Sequence, residues 1–367
     1  MTTLVLHIGS PKAGSSAIQS SILGASWNST WAAIPPNPYG KPYPSGFIAG
    51  LYLKTNALPR VLAQRQQANL DRFERDLSRY RKLIRRSIQP LWRKSPQALI
   101  VSCEYLWRLP QSSVEELRRD FESLGCNRFI VVAYVREPGS LYGSALQQWS
   151  RLSTNLQRFD PLVWRYELRK RLLTWQSVFG GCMIVRPYDR AQLHNGCVVS
   201  DFWGQIVRRF VGLSDCPALL PVADVNTSAT TEELLAIYST MTRLEYVSQQ
   251  RIPDNTRLLS RLWDEIKLTN NGRRRGTPIR VRKDVLCLIR RRHQDDLRWL
   301  ADQYGVRFES PSEIQTGSAG ICHSWVDLDR PLQIMDLIEP PDDQALLRDL
   351  SEYLIKRVRS DQLDGYT

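Results

Sequence analysis

Short apolar runs alternate with amphipathic stretches through the first two hundred residues of the chain. Residues 4–8 (LVLHI) predict a buried strand, and 15–25 the helix that follows it. Residues 98–102 (ALIVS), 129–135 (within RFIVVAYVREP) and 182–186 (CMIVR) predict three more strands. A helix is expected between the first and second of these. Ser112 and Ser113 with Glu115 and Glu116 read as a capping-box start, and Gly125 as its stop. Further helices are expected from Pro138 to Leu152 and over 201–211. Continuous apolar strands alternating with helices predict an α/β fold, with a parallel β-sheet flanked by helices on both faces. Beyond residue 215 the strand signals fade, and helical periodicity takes over at 231–248, 254–268, 284–304 and 342–358.

This pattern divides the chain into an α/β core over 1–215, a helical part over 216–320 that completes the same domain, and a helical extension over 321–367. Residues 27–60 interrupt the core with Pro35, Pro36, Pro38, Pro42, Pro44, Gly40 and Gly46 beside Trp27, Trp31, Tyr39 and Tyr43. They read as a long loop, either a substrate wall or a plain surface connection. Residues 61–89 predict a long helix. Leu70, Phe73, Leu77, Tyr80, Ile84 and Ile88 form its apolar stripe, and Arg72, Arg75, Arg79, Lys82, Arg85 and Arg86 a solvated face.

Composition narrows the partners without choosing one. Among 367 residues the net charge is +13, which suits anionic ligands such as nucleotides, anionic glycans, nucleic acid or acidic membrane surfaces. The seven cysteines form no C-x-x-C pair, so neither a zinc ribbon nor a thioredoxin motif is indicated, and they fit a reducing compartment. Neither a signal peptide nor a stretch of 18 apolar residues is visible, so a cytoplasmic protein without a membrane span is expected.

The candidate chemistry begins at the end of the first strand, in GSPKAGSS (Gly9–Ser16). Gly9 and Gly14 have the spacing of the nucleoside-triphosphatase loop G-x-x-x-x-G-K-[ST], but Ser15 stands where that loop has lysine, and the lysine lies inside the turn as Lys12. A strand–loop–helix of this kind surrounds an anion with backbone N–H groups and a helix N-terminus, and Ser15 and Ser16 add hydroxyls. The strand FIVVAYV ends in Arg136, a cation where a magnesium site would want a carboxylate. Two anion pockets and no metal are therefore expected.

These residues resemble the sulfotransferases that use 3′-phosphoadenosine 5′-phosphosulfate (PAPS), particularly bacterial carbohydrate-type members. The family's 5′ loop is matched by Pro11-Lys12-Ala13-Gly14-Ser15-Ser16. Its 3′-phosphate motif, a strand ending in Arg with a Ser eight residues on, is matched by Arg136, Pro138 and Ser144 in VREPGSLYGSALQQW, which also contains Trp149. The resemblance covers residues 3–215 and softens over 226–235 and 295–308; Ala13 departs from the usual Thr or Ser. It implies a P-loop-like fold, PAPS as co-substrate, and a sugar hydroxyl, on a polysaccharide or glycolipid, as acceptor. Lys12 would stabilise the leaving phosphate. Glu104, after ALIVS, or His7, at the end of the first strand, would be the general base. Tyr188 or Arg190 would face the adenine, while His194, His293 and His323 fall where the resemblance is weak. Two other classes remain open: a P-loop nucleotide-dependent kinase, and a nucleic-acid-binding protein using the basic stretches 270–284 and 289–293. Nucleic acid is the less expected partner, because no aromatic residues are interleaved with those basic runs.

Overall fold

The structure is a computed structural model that describes residues 2–24, 31–33, 46–53, 69–72, 74, 75, 78, 79, 82, 86, 97–212, 229–248, 256–269, 276–308 and 332–365. In chain order its elements are β1 (Thr2–His7), α1 (Ser15–Gly24), β2 (Trp31–Ala33), α2 (Gly46–Tyr52), β3 (Ala98–Ser102), α3 (Gln111–Ser123), β4 (Cys126–Val135), α4 (Pro138–Ser150), α5 (Leu168–Phe179), β5 (Met183–Pro187) and α6 (Val198–Asp201). There follow α7 (Thr231–Ser248), α8 (Thr256–Thr269), α9 (Lys283–Arg292), α10 (Gln294–Tyr304), α11 (Ile334–Leu337) and α12 (Gln344–Gly365). Among the described residues no helix is long and apolar enough to cross a membrane.

The strands form one sheet in the order β2-β3-β1-β4-β5, and every neighbouring pair is parallel. Strand β1 is central, with Val5 opposite Ile100 on one side and Ile130 on the other. Alternate residues serve the two faces. Val5, Ile130, Val132 and Tyr134 pack against Ile18 and Ile22 of α1, Val198 and Val199 of α6, and Phe202, Trp203, Ile206 and Val207 beyond it. On the opposite face Phe129 meets Phe179 of α5 at 5.4 Å between ring centroids, and the Arg118 guanidinium of α3 lies over both rings. The fold is therefore α/β, with helices on both faces of a parallel sheet.

The chain separates into two compact units that cut it differently from the boundaries 1–215, 216–320 and 321–367. The first comprises Met1–Glu137, Glu167–Ala223 and Asp295–Glu309 and contains the sheet. The second comprises Pro138–Tyr166, Asp224–Gln294 and Ser310–Thr367. It is helical, with a core drawn from α4, α7, α8, α9, α11 and α12.

Several elements depart from their sequence expectation. The stretch 27–60 contains β2 and α2, and apart from Leu53 its remaining positions lie outside the described residues, as do Phe73, Leu77, Tyr80, Ile84 and Ile88 of the expected helix 61–89. Helix α3 begins at Gln111 with Pro110 as its N-cap, so no capping box forms at Ser112 and Ser113. The Ser113 hydroxyl instead donates to the Tyr52 carbonyl oxygen at 2.6 Å. After α6 the chain continues as a π-helix, Phe202–Val211. Its apolar residues recur in pairs every four positions (202/203, 206/207, 210/211), wider than the 3.6-residue turn of an α-helix, and a π turn keeps them on one face. The expected helix 284–304 breaks at His293, whose ring Nε2 accepts the Tyr166 N–H at 3.1 Å while Nδ1 donates to the Ile289 carbonyl at 2.7 Å.

In the second unit, α7 opens with a reciprocal cap. The Thr230 hydroxyl accepts the Glu233 N–H, and the Glu233 carboxylate accepts the Thr230 N–H. Between them Glu232 is fully buried. Its carboxylate accepts from the Thr277 N–H (2.8 Å), the Thr277 hydroxyl (2.6 Å) and the Asp343 N–H (3.3 Å). Burial alone would raise this carboxyl, but the hydrogen bonds outweigh it and hold it below its ordinary value. A depressed folded-state value contributes stability at neutral pH that is lost as pH falls through the carboxylate range. Glu232→Gln, which turns an NH2 toward these donors, should cost about 1–3 kcal/mol at pH 7. Urea unfolding of both proteins at pH 7 and pH 4 checks this. The gap between them should narrow at the lower pH, and an equal gap at both would remove the carboxylate from the explanation.

Candidate anion-binding site

The site lies in the first unit, where β1 gives way to Gly9–Gly14 before α1 begins at Ser15. The Ile8 N–H still donates to the Val132 carbonyl at 3.0 Å, so the chain stays zipped to β4 one residue past the strand. Three residues of the turn then take left-handed backbone: Gly9 (φ 71°), Lys12 (φ 60°) and Gly14 (φ 81°). The glycines are required on a second count. A Cβ on Gly9 would sit 2.8 Å from the Glu104 Cα, and one on Gly14 2.7 Å from the Tyr188 ring and 2.8 Å from Val198. Lys12 has no such freedom, and its conformation costs roughly 1–2 kcal/mol. It is held by the Arg136 guanidinium, whose Nη1 donates to the Lys12 carbonyl at 3.1 Å, and by a turn in which the Ala13 N–H reaches the Ser10 carbonyl at 3.3 Å. Strain of this kind in a non-glycine residue is characteristic of functional turns.

The loop opens onto the N-terminus of α1. The first intrahelical bond runs from the Ile18 N–H to the Gly14 carbonyl, so the three preceding amides have no partner within the helix. The Ser15 hydroxyl is buried without a hydrogen-bond partner among the described residues, Ser16 is exposed and Pro11 half-buried. Ala13, the departure from the resembled motif, packs its methyl into the core. The strand order gives the loop its significance. From β1 the chain crosses past β3 to β2, whereas from β4 it moves the other way to β5, so β1 and β4 flank a topological switch point. Open α/β sheets bind ligands beyond the carboxyl ends of such a strand pair. Lys12 follows β1 and Arg136 follows β4.

The two candidate bases occupy different environments. Glu104 follows β3 at the start of a single 3-10 turn, Glu104–Arg108. Burial raises its carboxyl above the ordinary range, and the cations of Lys12 and Arg108 pull it partway back. His7 is fully buried on the α1 side of the sheet, with Nδ1 2.7 Å from the Ser102 hydroxyl and its ring 5.9 Å from Tyr134 and 6.0 Å from Phe202. Burial lowers it to about 3, so it stays neutral, and its Nε2 is enclosed without a partner among the described residues. Glu104 lies where Lys12 acts on it, while His7 belongs to the core beneath.

Of the two residues weighed for the adenine, Tyr188 is at the loop. Its N–H donates to the Val135 carbonyl at 2.6 Å, its ring lies against Gly14, and the Arg136 guanidinium sits 5.6 Å from the ring centroid. Arg190 is exposed. Ser144 and Trp149 lie on α4 in the second unit, where the Trp149 indole N–H donates to the Asn155 carbonyl at 2.7 Å. His293 is the helix-breaking residue described above, the His194 N–H donates to the Asp201 carboxylate at 2.9 Å, and His323 lies outside the described residues. Of the basic stretch 270–284, residues 270–275 also lie outside them, and Arg282 pairs with Asp284 at 2.9 Å.

Sequence reasoning passed over the support beneath the site. Asp201 is fully buried and accepts from the Tyr134 hydroxyl (2.7 Å) and from Nε and Nη2 of Arg186 (2.6 Å each), besides His194. This ties β4 and β5 to α6, the helix whose Val198 lies against Gly14. The available signals were a tyrosine hydroxyl in the apolar run FIVVAYV and an aspartate inside VVSDFW. No protein-family model, curated protein or solved structure matches this chain.

Proposed function

We propose that the chain is a sulfotransferase of P-loop-like fold, which moves a sulfuryl group from PAPS to an acceptor hydroxyl, on a carbohydrate or glycolipid, in the cytoplasm. The observation that carries this reading is the pair of cations at the switch point. Lys12 is held in a strained turn between two obligatory glycines, and Arg136 on the neighbouring strand clasps that turn. The residues suit a phosphosulfate: the first amides of α1 have no partner within the helix, and the buried Ser15 hydroxyl has none among the described residues.

The donor supplies the sulfuryl group, and adenosine 3′,5′-bisphosphate departs as the acceptor oxygen bonds to sulfur. Lys12 neutralises charge growing on the departing phosphate. Arg136 takes the 3′-phosphate. Glu104 accepts the proton of the acceptor hydroxyl, a role suited to a carboxyl whose basicity burial raises.

A thermal-shift titration tests the reading. Adenosine 3′,5′-bisphosphate at a hundredfold excess over Kd should stabilise the protein by about 2.7 kcal/mol. Arg136→Ala should abolish that shift. A shift with ATP and Mg²⁺ but none with the bisphosphate would replace the sulfotransferase with a kinase.

A further inference from the structure

Arg292 ends α9 in the second unit. Its Nε is enclosed and has no hydrogen-bond acceptor among the described residues. The next residue, His293, is satisfied at both ring nitrogens, and its bond from the Tyr166 N–H lays the segment 160–166 beside the helix end. That segment is a compact turn. The Val163 and Trp164 N–H groups both donate to the Asp160 carbonyl, at 3.0 and 2.9 Å, and the Trp164 ring packs 5.3 Å from the His293 ring. Arg165 is exposed, and its Nη1 donates to the carbonyl of its neighbour Trp164 at 3.2 Å. The Asp160 carboxylate accepts the Leu162 N–H through Oδ1 at 2.8 Å. Among the described residues no ion pair joins Asp160 to either arginine. Burial lowers Arg292 below its ordinary value, the charge of Arg165 lowers it further, and Asp160 opposes both.

A buried donor without an acceptor costs free energy, and more so on a charged group. A second guanidinium nearby adds repulsion. The negative end of α9 favours cations at its last turn, yet it gives the enclosed Nε–H no acceptor. Buried donors of this kind call for an explanation. An oxyanion supplies one. Its oxygens accept from Nε–H and an adjacent Nη–H in bidentate fashion, and its charge offsets the two arginines. The cluster also selects the anion. Two arginines and one aspartate sum to +1, which matches a single negative charge better than a phosphate dianion. Oδ2 of Asp160 has no donor among the described residues, so it is free to accept a hydroxyl.

We infer that Arg165 and Arg292 bind a sugar bearing one singly charged oxyanion, a carboxylate or a sulfate ester, and that Asp160 accepts one of its hydroxyls. The residues all belong to the second unit, and the inference does not rest on the sulfotransferase reading.

Calorimetry on the full chain tests it with five probes: glucuronate, glucose 6-sulfate, glucose 6-phosphate, glucose and cyclohexanecarboxylate. Wild type should bind glucuronate, glucose 6-sulfate or both, more tightly than the phosphate ester, and should ignore glucose. The tighter of the two identifies the charged group. Arg292→Gln and Arg165→Gln should each weaken that binding by on the order of tenfold or more. Arg292→Lys should weaken it as well, because an ammonium keeps the charge but lacks the planar fork. In Asp160→Asn the preference for glucuronate over cyclohexanecarboxylate should vanish. Urea midpoints of the arginine variants should equal that of wild type, since neither substitution breaks an ion pair; Arg165 is exposed and leaves the fold untouched in any case. No binding of either monoanion by wild type, unchanged affinity in both glutamine variants, wild-type affinity in Arg292→Lys, tighter binding of the phosphate ester, or a glucuronate preference that survives Asp160→Asn would each overturn the proposal.

Discussion

Under the proposed sulfotransferase activity, Lys12→Ala is expected to slow turnover by about 10²- to 10³-fold, the usual cost of removing one preorganised group that meets charge developing in a transition state. The substitution isolates the ammonium. Alanine keeps a Cβ, so the left-handed backbone at φ 60° is no more and no less strained, and the carbonyl that receives the Arg136 guanidinium is untouched. Bisphosphate binding should therefore weaken far less than turnover. Lys12→Gly serves as the control: it also removes the ammonium but relaxes the turn. The variant also reports on Glu104. Lys12 and Arg108 both oppose the effect of burial on that carboxyl, so removal of Lys12 leaves it higher still. A base with a raised value is deprotonated only at higher pH, and the acidic limb of the pH–rate profile should move upward. Wild-type turnover with an unmoved profile would sink the assignment of both residues.

The legible parts of this fold are those fixed by long, one-valued patterns. Strands β1, β3 and β4 are buried on both faces along their apolar runs, which makes them stand out, and β3 coincides with ALIVS residue for residue; β5, at the sheet edge, is half-buried at alternate residues and still legible from MIV. Helices α7, α8 and α12 follow from 3.6-residue periodicity. Strand β2 was not legible: it has three residues, Trp-Ala-Ala, in a proline-rich stretch, and only its pairing with β3 makes it a strand. The start of α3 was misplaced because the serine hydroxyl that signals a cap is used by the Tyr52 carbonyl. At the site, the loop and Arg136 were legible because glycine spacing and a strand-ending cation are local signals. The clasp between Arg136 and the Lys12 carbonyl spans 124 positions and depends on β4 lying beside β1, which no local pattern states. His7 and Glu104 looked equivalent as strand-end titratable groups. They separate only when the pleat directs one into the core and the turn after β3 leaves the other beside Lys12.

Asp201→Asn is expected to destabilise the protein by about 3–5 kcal/mol, the range for removing one partner from a buried ion pair. The carboxylate uses both oxygens twice. Oδ1 takes the Tyr134 hydroxyl and the Arg186 Nε, while Oδ2 takes the Arg186 Nη2 and the His194 N–H. An amide offers one oxygen to these donors and turns an NH2 against the rest. Tyr134 does not relieve the mismatch by ionising, since its burial, the larger cause of its raised value, persists in the variant. Tyr134→Phe removes only one donor and leaves the Arg186 pair in place, so it should cost about 1 kcal/mol. Urea unfolding of both variants gives the comparison. The effect should also reach the site: Asp201 ends α6, and Val198 at the other end of that helix packs within contact of Gly14. Asp201→Asn should thus weaken bisphosphate binding under conditions where the variant is still folded, while Tyr134→Phe binds as wild type does. A stable Asp201→Asn protein, within about 1 kcal/mol of wild type, would mean that water or a rotated side chain meets the stranded donors and that the loop does not depend on this strut.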